Sequence, residues 1–282
     1  MYRFMSVMAS RSRRQFAPLK AESIASGNLP RLKGVVFDVD GTLCRPQNYM
    51  FGEMRAALDI PKQIDILEHV YALPTAEARE EAMESIRHIE RTAMAHQEPQ
   101  PGLVELMTYL DSRDIPKGIC TRNFDAPVDH LLSKFLSEVK TFHPIVTREF
   151  RPPKPHPAGI LHIARSWGLT SESAERGDRA DTASSLDRGR IYIDAQGDKR
   201  SEEVVSGDRG NPDAAQGDAS GLIMVGDSID DMTAGRRSGA ATVLLVNPAN
   251  EHLAQHEHTD LAVTRLDDLI QILEEGFQGR EV

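Results

Sequence analysis

Apolar positions along the chain fall into two patterns. Short unbroken runs end abruptly in Asp, Thr or Gly: Gly34-Val35-Val36-Phe37, Pro116 to Thr121, Pro144–Thr147, Gly221 to Gly226 and Ala241–Val246. Runs of this length, bounded by turn residues, predict buried strands. Between them, apolar residues recur every three to four positions. Leu103, Leu106, Met107 and Leu110 mark a helix over 103–112, and further helices are expected near 126–139, 158–168, 229–238 and 266–275. Pro157 sits where a first helical turn tolerates proline, and Gly239 where a helix ends. Strand and helix therefore alternate after residue 100. That order predicts an α/β fold, a doubly wound, Rossmann-like parallel sheet with right-handed crossovers. Ligands of such sheets sit beyond the carboxyl ends of the strands.

The segment 44–99 interrupts this order. Ile64, Leu67, Val70 and Tyr71 are helically spaced, as are Ala78, Ala82, Ile86, Ile89 and Ala93. Thr75 before an acidic first turn reads as a helix cap. Pro99-Gln100-Pro101-Gly102 closes the segment. A small helical cap over the end of the first strand is expected here; a plain insertion with no role in substrate choice is the other reading. The core is then 31–43 with 100–282. Within it, 171–220 holds 12 acids and 7 bases with few large apolar residues. It is expected to be a disordered surface insertion, with a local strand at Ile191-Tyr192-Ile193.

Residues 1–30 form an N-terminal extension with five bases, Arg3, Arg11, Arg13, Arg14 and Lys20, against one acid, Glu22. Its Arg- and Ser-rich, acid-poor composition fits a mitochondrial transit peptide, or a non-targeting tail. The two cysteines make no disulfide scaffold, so a reducing compartment is expected: the cytoplasm, with the mitochondrion as the alternative. With 282 residues, 40% of them hydrophobic, the chain can bury a sizeable core. A net charge of −10 argues against nucleic acid as a partner. No apolar run reaches the roughly 18 residues of a membrane helix, so no membrane partner is expected either.

The candidate chemistry starts at Asp38-Val39-Asp40-Gly41-Thr42. Two carboxylates two residues apart at a strand end repel each other, and burying either is costly. A hard divalent cation is a natural compensation. A calcium loop fails on spacing, since its sixth position from Asp38 is Leu43 rather than Gly. Two readings remain: a strand end with an Asp turn, or a nucleophilic aspartate beside a proton-transferring one near Mg²⁺. The second requires a hydroxyl, a lysine and another acidic cluster downstream, each just after a strand. Thr121, Lys154 in Arg151-Pro152-Pro153-Lys154-Pro155, and Gly226-Asp227-Ser228-Ile229-Asp230-Asp231 supply them in that order.

Together these stretches resemble the four ordered motifs of the haloacid dehalogenase (HAD) superfamily, and the segment after the first motif resembles its small helical cap. The resemblance implies a Mg²⁺-dependent phosphatase acting on a small phosphorylated metabolite. It makes Asp38 the nucleophile that forms an aspartyl phosphate, and Asp40 the acid and base. Thr121 would bind phosphoryl oxygens and Lys154 would neutralise charge. Asp38, Asp227 and the Asp40 carbonyl would hold Mg²⁺, with Asp231, Asp230 and Asn123 in support. Asp40 favours phosphate chemistry, because the true dehalogenases of that superfamily lack this acid. The caps resembled are those of phosphoglycolate-phosphatase-like and β-phosphoglucomutase-like members. A phosphomutase is the enzymatic alternative, and a non-catalytic HAD-like binding protein the other. Cys44 and Cys120 flank the predicted site and read as small apolar fillers, with oxidative inactivation as the alternative.

Overall fold

The computed structural model describes residues 13–20, 29–47, 49–171, 192–193 and 216–280. Its strands are β1 Gly34–Phe37, β2 Lys117–Cys120, β3 Ile145–Val146, β4 Tyr192–Ile193, β5 Leu222–Gly226, β6 Ala241–Leu245 and β7 Leu261–Val263. They form one sheet in the order β4-β3-β2-β1-β5-β6-β7, and every neighbouring pair is parallel. The helices are α1 Tyr49–Leu58, α2 Ile66–Ala72, α3 Ala76–Ala95, α4 Leu103–Ser112, α5 Asp125–Phe135, α6 Ala158–Ser166, α7 Ile229–Ser238 and α8 Asp268–Glu275.

Strand alternation sorts the core into two layers. Val35 and Phe37 of β1, with Ile223 and Val225 of β5, face a cluster built from α4, α5 and α8. Val36, Leu222 and Met224 point the other way, onto α6 and α7. Both faces are covered, which is why these strands read as continuous apolar runs. Gly34 opens β1 because Trp167 packs onto it: a Cβ there would lie 2.3 Å from the indole ring. The indole nitrogen donates to the His143 carbonyl at 2.7 Å, so the ring cannot swing away freely.

Helices α1, α2 and α3 enclose a separate cluster: Met50, Met54, Ile66, Leu67, Val70, Ala82, Ile86 and Ala93. Thr75 caps α3 through its side chain, accepting from the Ala78 amide at 3.1 Å. Asp65 caps α2, accepting from Glu68 at 2.9 Å.

Several boundaries differ from expectation. Ala241–Leu245 is not the last strand: β7 pairs with β6 beyond it. Only one of its three residues is buried, so it carries no alternating signal. Helix α5 ends at Phe135 rather than near 139, and α6 at Ser166 rather than 168. The strand expected near 192 adds to the sheet edge, pairing Tyr192 with Ile145. The disorder expected over 171–220, and the targeting signal expected in 1–30, lie mostly outside the described residues.

Residues 13–20 belong to the folded body. Phe16 is buried, its ring centroid 5.7 Å from that of Phe277, and its amide donates to the Phe277 carbonyl at 3.0 Å. Phe16→Ala should cost about 3 kcal/mol of stability, the usual range for emptying a buried aromatic site. Urea unfolding measures it; a change below about 1 kcal/mol would show that this segment is not part of the core.

Candidate active site

The sheet register brings the chemistry-bearing residues level. Phe37 pairs with Val225 on one side and Ile119 on the other. Asp38, the first residue past β1, therefore stands beside Gly226 and Cys120, and Asp227 and Thr121 follow immediately. The chain order runs outward in opposite directions from the β1–β5 junction, so this is the topological switch point of the sheet.

Gly41 turns the chain there with φ +81°, and a Cβ would lie 2.1 Å from the Asp227 carboxylate. Any side chain at this position is both strained and obstructed. The turn is tied by the Leu43 amide donating to the Val39 carbonyl at 2.8 Å. Gln100 donates to the Gly41 carbonyl at 2.8 Å.

Lys154 leaves its proline-flanked loop and buries itself among carboxylates. Its ammonium donates to Asp38 Oδ1 at 2.7 Å and to Asp231 Oδ1 at 2.5 Å. Asp231 is also the capping-box residue of α7, its Oδ2 accepting from the Ser228 amide at 3.1 Å and hydroxyl at 2.6 Å. Both its oxygens are thus engaged. Asp227 is held differently: Asn247 donates to its carboxylate at 3.3 Å and Asn250 to its carbonyl at 2.7 Å. Asp40 accepts from the Asn123 side chain and contacts the Cys44 thiol at 3.5 Å. The Thr121 hydroxyl accepts from the Asn123 amide at 3.2 Å.

Ligand atoms of Asp38, Asp227 and Asp231 all lie within 4.8 Å of one another. The Lys154 ammonium is bonded to two of the three, Asp38 and Asp231. Burial pushes Asp38 above the ordinary carboxylate range, with Lys154 pulling against it. Burial, then Asp231 and Asp38, push Asp227 up to about 8. Burial also raises Asp40, opposed by Asn123 and Cys44. For Lys154, burial works against the charge, but Asp231 and Asp38 outweigh it and raise the ammonium. The set is short of positive charge, and its donors are hard oxygens. A divalent cation fits, with Asp38 and Asp227 the carboxylates best placed to hold it.

These residues floor a cavity of about 780 Å³ whose other wall comes from α1, α2 and α3. Two cation networks cross it. Arg148, just past β3, forms a buried ion pair with Glu90 of α3, and burial raises Glu90 to about 7 against the pull of Arg148. Arg122 bridges Asp65, the cap of α2, at 2.5 Å and Asp230 at 2.8 Å. Asp230 therefore anchors an arginine instead of facing the other carboxylates. Cys44 and Cys120 are buried, and burial raises both thiols, Cys120 to about 12. Burial thus disfavours the thiolate form that oxidation needs.

The sequence reading missed Glu90, Arg148, Arg122 and Asp65. A signal existed for Glu90: it interrupts the apolar stripe Ala82, Ile86, Ala93 of α3. Arg148 follows a strand end, as Thr121 does. Asn247-Pro248-Ala249-Asn250 is a turn signature just past β6.

A family model described as haloacid dehalogenase-like hydrolase matches residues 32–174. An uncharacterized hydrolase of Saccharomyces cerevisiae is 40% identical over 248 residues, covering 87% of this chain and 91% of its own. The chain belongs to the haloacid dehalogenase-like hydrolases. An Arabidopsis thaliana protein described as containing a haloacid dehalogenase-like hydrolase domain is 36% identical over 52% of this chain and 64% of its own. Solved structures share the hydrolase's fold. A hydrolase from Pseudomonas syringae matches with a TM-score of 0.55 at 19% identity, over 86% of this chain and 98% of that one. A predicted phosphoglycolate phosphatase from Haemophilus somnus gives 0.55 at 16% identity, over 86% and 97%. CbbY of Rhodobacter sphaeroides, in complex with xylulose-(1,5)bisphosphate, gives 0.53 at 14% identity, over 84% and 96%.

The raised Asp227 predicts a pH signature in EDTA-treated hydrolase. The folded state binds this proton more tightly than the unfolded chain, whose value is near the ordinary 3.8. The contribution is therefore full at low pH and lost as pH rises through about 8. Metal-free Asp227→Asn should melt above metal-free wild type at alkaline pH, and the gap should close on acidification. A gap that widens on acidification would contradict the assignment.

Proposed function

We propose that this hydrolase is a Mg²⁺-dependent phosphatase of small phosphorylated metabolites, working through an aspartyl phosphate on Asp38. The observation that carries the reading is the pairing of Asp38 with Asp40. Lys154 binds one oxygen of Asp38, and Asp40, raised by burial, lines the same cavity. A carboxylate that holds its proton above its ordinary range suits a general acid.

In the first half-reaction the second oxygen of Asp38 attacks phosphorus. The ester P–O bond breaks, and its oxygen takes the proton of Asp40 and leaves as an alcohol. In the second, Asp40, now a carboxylate, takes a proton from water as that water attacks the phosphoryl group. The bond to Asp38 breaks, phosphate departs, and both carboxyl groups return to their starting states. Lys154 offsets the negative charge that gathers on nucleophile and phosphoryl group, and Thr121 offers its hydroxyl to a phosphoryl oxygen. Asp38, Asp227 and the Asp40 carbonyl would hold Mg²⁺, which supplies charge neutralisation when bound. The helical segment acts as a cap that keeps bulk water from the cavity. The Rhodobacter neighbour is described with a sugar bisphosphate, a ligand of the class this cavity suits.

The purified full chain should hydrolyse p-nitrophenyl phosphate and members of a metabolite panel with Mg²⁺, and neither with EDTA. Asp38→Asn should abolish turnover. Asp40→Asn should lower it by about 10²-fold or more. The loss should be greater on alkyl phosphates, because a leaving phenolate needs little proton assistance. A folded, Mg²⁺-loaded protein that hydrolyses nothing and takes up no beryllofluoride at Asp38 would overturn the reading.

A further inference from the structure

The cavity is lined by five cationic side chains: Arg55, Lys62, Arg122, Arg148 and Lys154. Three have carboxylate partners inside the protein. Lys154 is shared by Asp38 and Asp231, Arg148 is bound by Glu90, and Arg122 lies between Asp65 and Asp230. Arg55 and Lys62 differ. Among the described residues, no carboxylate lies within ion-pair distance of either. Arg55 donates to the Phe51 carbonyl one turn back at 3.2 Å, which is a neutral acceptor. Its Nε is buried and has no hydrogen-bond partner, although the residue is only half-buried.

Both cations come from the same short stretch of the helical segment. Arg55 is in the last turn of α1, and Lys62 follows it in the connection to α2. Met50, Met54 and Ile66 line the same cavity; Arg55 is half-buried in that wall, while Lys62 is exposed at its edge. The half-buried Arg55 therefore attracts an anion more strongly than a fully solvated cation would, and Lys62 adds long-range attraction from the solvent side. The carboxylates of the floor lie on the opposite side, at the strand ends.

We infer that Arg55 and Lys62 form a second anion subsite, and that the substrate carries an anionic tail, a carboxylate or a second phosphate, besides the phosphoryl group met by Asp38. This rests on the phosphatase reading and narrows it to a substrate class. The cavity volume of about 780 Å³ leaves room for a ligand that spans from strand ends to cap. Bidentate binding suits the planar fork of Arg55, with Lys62 adding a point charge.

Three matched probes test it: propyl phosphate, 3-(phosphonooxy)propanoate and 1,3-propanediol bisphosphate. Wild type should favour one or both anion-tailed probes over propyl phosphate by about tenfold to a hundredfold in kcat/KM, the range of a charge-assisted hydrogen bond. Which probe leads separates carboxylate from phosphate. Arg55→Gln should reduce that ratio by about tenfold, Lys62→Glu should reduce it further, and Arg55→Lys should restore much of it. Raised ionic strength should shrink the preference. Calorimetry on Asp38→Asn, which cannot turn over, reads recognition apart from chemistry. Hydrolysis of all three probes at equal efficiency, or a ratio unmoved by Arg55→Gln, overturns the subsite and leaves the phosphatase reading standing. Tighter binding of the anion-tailed probes by a protein that hydrolyses none keeps the subsite and overturns the phosphatase reading. Equal binding with no hydrolysis overturns both.

Discussion

Everything at the strand ends answers to the repulsion among buried carboxylates. The topology sets β1 beside β5, and each strand ends in an aspartate. At the 4.8 Å that bounds the cluster, two full charges repel by about 3–4 kcal/mol at an effective dielectric near 20. Among the described residues, Lys154 is the one cation bonded into this group, touching Asp38 and Asp231 but not Asp227. That asymmetry gives the three carboxylates different tasks. Asp231 is saturated by Lys154 and by the start of α7, so it fixes the lysine. Asp38 keeps an oxygen clear of the lysine. The Asp227 carboxylate accepts from the Asn247 amide and its carbonyl from that of Asn250, and amides position a carboxylate without neutralising it. The same crowding fixes Gly41, since the turn after β1 has φ +81° and passes against the Asp227 carboxylate.

Residues whose position follows from strand periodicity were legible in the sequence. Asp38, Thr121 and Asp227 each follow a short apolar run, and a parallel sheet brings such ends to one edge whatever the loops do. Lys154 was legible through its prolines, which reject a freely solvated loop. Less visible were contacts that depend on how separate elements dock. Glu90 meets Arg148 only because α3 lies across the end of β3, and Arg122 meets Asp65 only because α2 starts above β2. Neither pair shares a periodicity. Phe16 was hidden by its setting, a single aromatic in a basic, Ser-rich stretch whose composition suggests a tail. Its partner Phe277 lies at the far end of the chain, and local pattern does not connect them. Strand β7 was lost because half-exposed residues at a sheet edge carry little hydrophobic signal.

The docking contacts also fix where the helical segment stands over the strand ends. Arg148, Arg122 and Arg151 come from the loops after β2 and β3, and each reaches a different point of that segment: Glu90, Asp65 and the Tyr71 ring. The three are not equivalent. Arg122 is partly exposed, and water can replace Asp65 at small cost. The Arg148–Glu90 pair is buried on both sides, and separating it without solvent would leave two uncompensated charges, a penalty of about 3–5 kcal/mol. The buried pair is therefore the firmest of the three attachments. Helices α1, α2 and α3 share one apolar cluster, so what fixes α3 also fixes the height of α1 above the strand ends. Arg55 and Lys62 are carried by that same cluster at a set distance from Asp38, and the span between the two ends of the cavity selects the length of any ligand that meets both.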